Sequence, residues 1–326
     1  MGGDDAPAAP VAGAIEALRD LNVELTLVGP TSTVEAELAA HRSSVRPRIV
    51  EAPEVIGMAE SPVQAVRAKM RSSMVVGVAL VAHGEADAFV TAGNTGAAMA
   101  AAVFGLKRIE GIDRPAMAIP FPTREGACLL LDVGANAEAR AQDLVQFALM
   151  GSVYAEHVLG LRDPRVGLLN IGEEESKGSL IVQEAHQKLR AAPIRFVGNV
   201  EGKDIPTGVA DVVVMDGFVG NVLIKFAEGV TTAFAGLIRA ELRASPLTSL
   251  LALPLMPAFA RVRRRIDYAE WGGAPLLGVN GVVIIGHGRS NARAIRSAIR
   301  VAAEAVEQGV VARIRDGVMG GSKLES

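Results

Sequence analysis

TAGNTGAAMAAA, Thr91 to Ala102, follows the apolar run DAFV that ends at Val90. An apolar strand that breaks at a small-residue turn and continues as an alanine-rich helix gathers free backbone N–H groups at one point, with the helix dipole behind them. Such a point is suited to an anion. The residues around it are Gly93, Asn94, Thr95 and Gly96, all uncharged.

Outward from this turn, short β-rich runs alternate with helical stretches. The apolar patterning predicts strands at VELTLVG (Val23 to Gly29), DAFVT, RPAMAIP, ACLLLDVG (Ala127 to Gly134), RVGLLNIG (Arg165 to Gly172), IRFVGNV, ADVVVMDG (Ala210 to Gly217) and GVVIIGHG (Gly281 to Gly288). Several are nearly continuously apolar, as strands covered on both faces are. Helices are expected at Ser61 to His83, Gln142 to Gly160, Gly178 to Ala191, Asn221 to Ala244 and Asn291 to Gln308, supplying the crossovers of a mostly parallel α/β sheet flanked by helices. Neither an internal repeat nor a low-complexity linker divides the chain, so one catalytic α/β domain over 1–326 is expected. Pro246, Pro254 and Pro257 interrupt an apolar stretch and mark a peripheral region, a helical hairpin projecting over 228–266.

Composition narrows the function. The 326 residues are 50% hydrophobic and 21% charged, a globular balance, and the formal net charge of −3 advertises no nucleic-acid partner. One cysteine, Cys128, excludes an internal disulfide framework and fits a reducing compartment. The N-terminus MGGDDAPAAP lacks the basic and apolar regions of a signal peptide, and no apolar run approaches a membrane span of ~18 residues. A soluble cytoplasmic protein is expected.

Glycine with Asn, Asp or Lys recurs where apolar runs stop, in TAGNTG, DVGAN, NIGEEESKG, GNVEG, DGFVGN and GHGRSN. Any one of these is an ordinary turn composition. Six of them on one carboxyl edge of a parallel sheet, the edge where ligands sit, would form a site. The nucleotide readings fail on spacing. In IGEEESKGS the glycine follows Lys177, whereas a phosphate-binding P-loop needs it before, and GHGRSN has Asn291 where a dinucleotide fold needs its third glycine. A phosphate group is the natural occupant of a neutral, glycine-rich cradle with one lysine.

Other catalytic classes leave little trace. The sequence has no G-x-S-x-G and no H-E-x-x-H, and its five histidines do not pair at ligand spacing. His41, His83, His157 and His186 read as surface or helix-end residues, while His287, in a glycine turn after a strand, is a site residue or a turn histidine. Cys128 reads as core packing. Glu173, Glu174 and Glu175 are adjacent and cannot all face one metal, so a solvated edge is expected, with no metal or other cofactor.

The segments MGGDDAP, SPVQAVRAKMRSSM, TAGNTGA, LDVGAN, LVQFALMGSVYAE, VGLLNIGEEESKG, FVGNVEGKDI, ADVVVMDGFVGNVLIKFAEG and YAEWGGAPLLGVNGVVIIGHGRS together resemble the PlsX family of bacterial phosphate acyltransferases, over nearly the whole length. The resemblance implies transfer of a fatty acyl group from acyl carrier protein to inorganic phosphate, giving acyl phosphate for phospholipid synthesis. It also implies a Rossmann-like fold related to phosphate acetyltransferase and isocitrate dehydrogenase, a homodimer, peripheral attachment to the inner face of the cell membrane, and a downstream membrane glycerol-3-phosphate acyltransferase as the next enzyme. Two departures stand out. Similar proteins carry a short strand before MGGD, so an in-frame upstream extension is expected. The ARAQDL segment also drifts from the family pattern.

The chemistry asks for little more than positioning. A thioester leaves as a thiolate, a thiol pKa being about 8.5, and phosphate can attack the carbonyl itself. The protein must hold two substrates and stabilise the tetrahedral oxyanion. By position, Gly93, Asn94, Thr95 and Gly96 with Lys177 would hold phosphate, Asn170 or Asn221 would contact the oxyanion or carbonyl, and Asp132, Asn136 and Asp216 would orient the donors.

Arg289, Arg293, Arg296 and Arg300 recur at helical intervals, as a solvated face or as a docking stripe for the acidic carrier protein. The stretch LTSLLALPLMPAFARVRRR joins Leu250, Leu251, Leu253, Leu255, Met256 and Phe259 to Arg261, Arg263, Arg264 and Arg265. It is either a subunit contact with a basic end or an interfacial tip whose arginines meet anionic headgroups.

Overall fold

In a computed structural model, which describes residues 1–41, 46–124, 126–266 and 272–322, helices flank an eight-stranded sheet. The chain opens with α1 (Ala8–Asp20), β1 (Thr26–Gly29), α2 (Thr31–Ala40) and β2 (Arg48–Glu51). It continues with α3 (Pro62–Ala68), α4 (Ser73–Ala82), β3 (Ala88–Thr91) and α5 (Thr95–Leu106). Then come β4 (Ala116–Pro122), β5 (Ala127–Leu131), α6 (Ala141–His157), β6 (Arg165–Asn170), α7 (Leu180–Ala191), β7 (Arg195–Glu201) and β8 (Val212–Val214). The last part holds α8 (Gly217–Leu242), α9 (Pro246–Ala252), α10 (Met256–Ile266), β9 (Ala274–Leu277), β10 (Val282–Ile285), α11 (Ala292–Glu307) and α12 (Val310–Ser322).

The large sheet runs in the order β3-β10-β9-β4-β5-β8-β6-β7. Parallel pairings join β3 to β10 and link β5, β8, β6 and β7, whereas β10/β9, β9/β4 and β4/β5 are antiparallel. Leu129, Leu130 and Leu131 of β5 and Val212, Val213 and Val214 of β8 are fully buried, so the central strands are covered on both faces. A parallel pair, β1 and β2, forms a second sheet. Leu25 and Leu27 near β1 share one apolar cluster with Val90 and Ala92 near β3, under Ala14 and Ala17 of α1 and Ile295 and Ile299 of α11. Met1 lies against Gly29 and Gly93, between the ends of β1 and β3.

Three antiparallel steps correct the expectation that all six glycine loops share one edge. Strands β3 and β10 run one way; β5, β6, β7 and β8 run the other. TAGNTG and GHGRSN therefore stand on one edge of the sheet, and DVGAN, DGFVGN and NIGEEESKG on the opposite one. GNVEG is largely strand, within β7.

The helix expected over Ser61 to His83 is two helices. Backbone at Lys69 leaves the helical region (φ −111, ψ 66), and Ser72 caps α4 by accepting from the Val75 amide. Strands β2 and β9 and helices α1 and α2 were not apparent in the apolar pattern. Helix α8 begins earlier than expected, at Gly217, because the Asp216 carboxylate caps it at the Val219 amide (2.8 Å).

Helix α8 buries Gly217 and Gly220 and exposes Phe218, Val222, Phe226, Phe234 and Leu237. By length and composition it could cross a bilayer. Helices α9 and α10 follow, with Leu250, Leu251, Leu253, Leu255 and Met256 exposed. The side chains of Arg263 and Arg264, and residues 267–271, which include the YAEW of YAEWGG, lie outside the described residues.

Candidate active site

Strands β3 and β10 are neighbours, pairing Thr91 with Ile285, and each feeds directly into a helix. Asn94 caps α5 by accepting from the Ala97 amide at 3.0 Å, and Asn291 caps α11 by accepting from the Ala294 amide at 3.0 Å. The N-termini of two long helices, with their unpaired N–H groups and positive dipole ends, thus open on the same edge. The MGGD segment closes the third side. The Asp4 amide donates to the Gly288 carbonyl (2.9 Å), and a Cβ on Gly3 would stand 2.9 Å from the Ala92 carbonyl oxygen, so only glycine fits between the two loops. We call this set of turns the cradle.

Its rim carries charge of both signs. Arg289 is exposed and has no ion-pair partner among the described residues; its amide donates to His287 Nδ1 at 3.3 Å. The Asp4 carboxylate stands 3.6 Å from where a Cβ on Gly288 would be. Ser290 is buried behind them, its amide donating to the His287 carbonyl (2.8 Å). Gly3, Asp4 and Ser290, which the sequence reading did not single out, stand beside these turns, and MGGD and GHGRSN both advertise a close backbone approach.

The structure brings Gly93, Asn94, Thr95, Gly96, His287 and Arg289 to this edge. It does not bring Lys177 there. Lys177 follows β6, six strand steps from β3 and on the other edge, about 29 Å away laterally at ~4.8 Å per step. Within one chain it cannot share a phosphate with Asn94. Nor is the Asn94 side chain free for a ligand: it is 7% exposed, and its Nδ2 donates to the carbonyls of Gly57 (3.3 Å), Met58 (3.1 Å) and Glu60 (3.2 Å). The cation exposed beside this turn is Arg289.

The opposite edge gathers a second cluster. Asp132, fully buried, accepts from the amides of Met117 (3.0 Å), Gly134 (3.1 Å), Ala135 (2.9 Å) and Asn136 (2.7 Å) and from Asn136 Nδ2 (2.9 Å). Burial raises its pKa above the ordinary carboxylate value, and these donors pull the other way. Asn136 Nδ2 also donates to the Pro115 carbonyl (2.8 Å), and Asn221 Nδ2 donates to that of Val133 (3.3 Å). Asp216, the cap of α8, completes the group. Gly220 lies so close to the Asp132 carbonyl that a side chain there has no room, which seats α8 on the loop. Asp132, Asn136, Asp216 and Asn221 are thus together; the hydrogen bonds of Asp132, Asn136 and Asn221 hold the loop, and that of Asp216 caps α8. Asp132, Asn136 and Asp216, expected to orient the donors, and Asn221, expected at the oxyanion or carbonyl, therefore stand on the edge opposite Asn94.

Asn170 folds back on its own loop, donating to the Lys177 carbonyl (3.1 Å) and accepting from the Ile171 amide (2.8 Å). His186, expected at the surface, is buried, with Nδ1 3.0 Å from Asn199 Oδ1 and Nε2 3.5 Å from Glu175, which also pairs with Arg190 (2.7 Å). The arginine stripe is divided. Arg289 lies in the cradle loop and not on α11, Arg296 pairs with Asp20 of α1 (2.7 Å) and Arg300 with Glu304 (2.7 Å); Arg293 is exposed on the first turn.

A helix-flanked α/β sheet whose glycine-rich strand-to-helix turns meet on neighbouring strands defines the class. Two solved structures share this fold: a phosphotransacetylase from Streptococcus pyogenes (TM-score 0.64, 17% identity, 93% of this chain and 92% of that one) and the EutD phosphotransacetylase from Staphylococcus aureus (TM-score 0.62, 17% identity, 91% and 90%). The family profile described as "Fatty acid synthesis protein" matches residues 1–313. The chain is 54% identical over 322 residues to the phosphate acyltransferase of Heliobacterium modesticaldum (98% of this chain, 96% of the relative). It is 52% identical over 316 residues to that of Desulfitobacterium hafniense strain DSM 10664 / DCB-2 (97% and 95%). The chain belongs to the PlsX family of phosphate acyltransferases.

Proposed function

We propose that this phosphate acyltransferase moves a fatty acyl group from the thioester of acyl carrier protein to inorganic phosphate at the cradle between β3 and β10. A phosphate oxygen attacks the thioester carbonyl, the tetrahedral intermediate collapses, and the C–S bond breaks. Acyl phosphate forms, and the carrier thiolate takes up a proton from solvent. Phosphate is held by the N–H groups at the starts of α5 and α11, with Arg289 supplying the compensating charge. No protein nucleophile is required, because phosphate is already one; catalysis is positioning and electrostatic stabilisation.

The observation that carries this reading is the pairing of two helix N-termini on adjacent strands beside an arginine with no ion-pair partner among the described residues. The acyl phosphate is then the substrate of a membrane glycerol-3-phosphate acyltransferase. The enzyme works as a homodimer at the inner face of the cell membrane, with Leu253, Leu255, Met256 and Phe259 of the projecting hairpin at the lipid surface. The exposed apolar side chains of that hairpin support the membrane role. Exposed Arg289 and Arg293 are the docking cations for the acidic carrier. The test is release of carrier-protein thiol from acyl carrier protein with and without phosphate. Release that ignores phosphate would reject the reaction.

A further inference from the structure

The segment Gly57–Glu60 reaches over to the cradle and is fastened there. Asn94 Nδ2 donates to the three carbonyls of Gly57, Met58 and Glu60. Glu60 Oε1 accepts from the Gly57 amide (2.6 Å) and from Lys69 Nζ (2.6 Å), and Lys69 also donates to the Val55 carbonyl (2.7 Å). Inside this polar clasp Met58 is 46% exposed, its Cε 2.9 Å from the point a Cβ on Gly288 would take. A flexible thioether is therefore laid across the bare backbone of the cradle loop while half of it faces solvent. Core packing does not require it there.

We propose that Met58 receives the first carbons of the acyl chain and limits which chains can enter, with Asn94 as the positioning residue that holds it over Gly288. The inference rests on the reading that acyl transfer to phosphate takes place at this cradle. An acyl phosphate keeps its carbonyl carbon one bond from a phosphate oxygen, so the carbons that follow pass whatever rims the anion site. Asp4, His287 and Arg289 on that rim are exposed and polar. Hydrocarbon laid against them stays wet, whereas each methylene covered by Met58 favours binding about fourfold. Methionine suits the task because its unbranched, polarizable side chain adapts to a chain lying along it.

The experiment is steady-state kinetics of the full chain with phosphate and acyl-carrier thioesters, straight or branched next to the carbonyl. Met58→Gln should raise the KM for acyl donor about tenfold and leave the KM for phosphate unchanged, and Met58→Leu should restore most of the loss. Met58→Ala should raise kcat/KM for branched relative to straight donors by about tenfold. Asn94→Asp keeps the helix cap but removes the three donated bonds, and should raise acyl-donor KM more than phosphate KM. Unchanged acyl-donor KM and an unchanged branched-to-straight ratio in folded Met58 variants would overturn the role of Met58, as would a rise in phosphate KM alone. Wild-type protein that transfers no acyl group to phosphate would instead overturn the functional reading beneath it.

Discussion

Asn94 Nδ2 lies 3.1 Å from the carbonyl oxygen of Met58, while Oδ1 of the same side chain accepts from the Ala97 amide at 3.0 Å. One amide both starts α5 and holds a loop from the other side of the cradle. Asn94→Ala should therefore lower stability by about 2–4 kcal/mol, from the lost cap and the buried carbonyls left without their donor. Asn94→Asp should retain the cap yet still lose stability, since a carboxylate cannot donate. Denaturant unfolding of the three proteins checks this; equal stability of wild type and the aspartate variant would show that the loop does not depend on Asn94.

Arg289 and Lys177 separate the two edges of the sheet. Arg289→Ala should raise phosphate KM about tenfold or more, as expected for loss of a charge-assisted contact. Lys177→Ala should leave it unchanged, because the β6 loop is six strand steps away and faces the other edge. A reversed pattern in initial-rate kinetics would move the phosphate site to the β6 loop.

Asp143 gives the acid limb of stability a definite sign. Its side chain has no exposed surface, and Arg140 reaches it through Nε (3.0 Å), a second guanidinium nitrogen (2.7 Å) and the backbone amide (2.8 Å), with Arg114 at 3.8 Å. Burial pushes the carboxyl up, but the Arg140 hydrogen bonds and the charges of Arg140 and Arg114 together hold it below the usual carboxylate value. A folded-state pKa below the unfolded one contributes stability that is complete above the unfolded value, about 3.9, and is lost as pH falls through the folded value. Asp143→Asn should lower stability near pH 7 by about 2–3 kcal/mol and flatten the decline below about pH 4. Thermal unfolding against pH reads both.

Cys128 sits near the start of β5, where burial pushes its thiol up to about 12. It should resist alkylation at pH 8 in the native protein and react within minutes in denaturant, since the thiolate is the reactive form. Mass spectrometry of the alkylated chain distinguishes the two. Rapid native labelling would mean that the central sheet opens.

Leu253 and Leu255 are exposed between α9 and α10. Replacing both by glutamate should abolish sedimentation with anionic vesicles while sparing transfer from soluble acyl carrier protein. Retained vesicle binding, accompanied by a monomeric mass in solution, would make this tip a subunit contact.

The order of strand, glycine turn and helix was legible in the sequence because it is written in local terms. A doubly covered strand is continuously apolar, as in ACLLL and VVV. Asn94, Ser179, Asp216 and Asn291 cap the helices that follow, and the glycine loops stand where those strands stop. Strand direction is not written that way, because a strand buried on both faces presents the same apolar run whichever way it points. The two hairpin-length links, 123–126 between β4 and β5 and Gly278–Gly281 between β9 and β10, were the available signal that the halves of the sheet oppose each other, since parallel neighbours need far longer connections. Tertiary structure alone decided which polar residues stay open to solvent at these turns. Asn94, Asp132 and Asn136 have the residue types of a binding site, but Asn94 and Asn136 donate to carbonyls far along the chain and Asp132 accepts from its own loop and from Met117, whereas Arg289 and Met58 are left open to solvent beside Gly288.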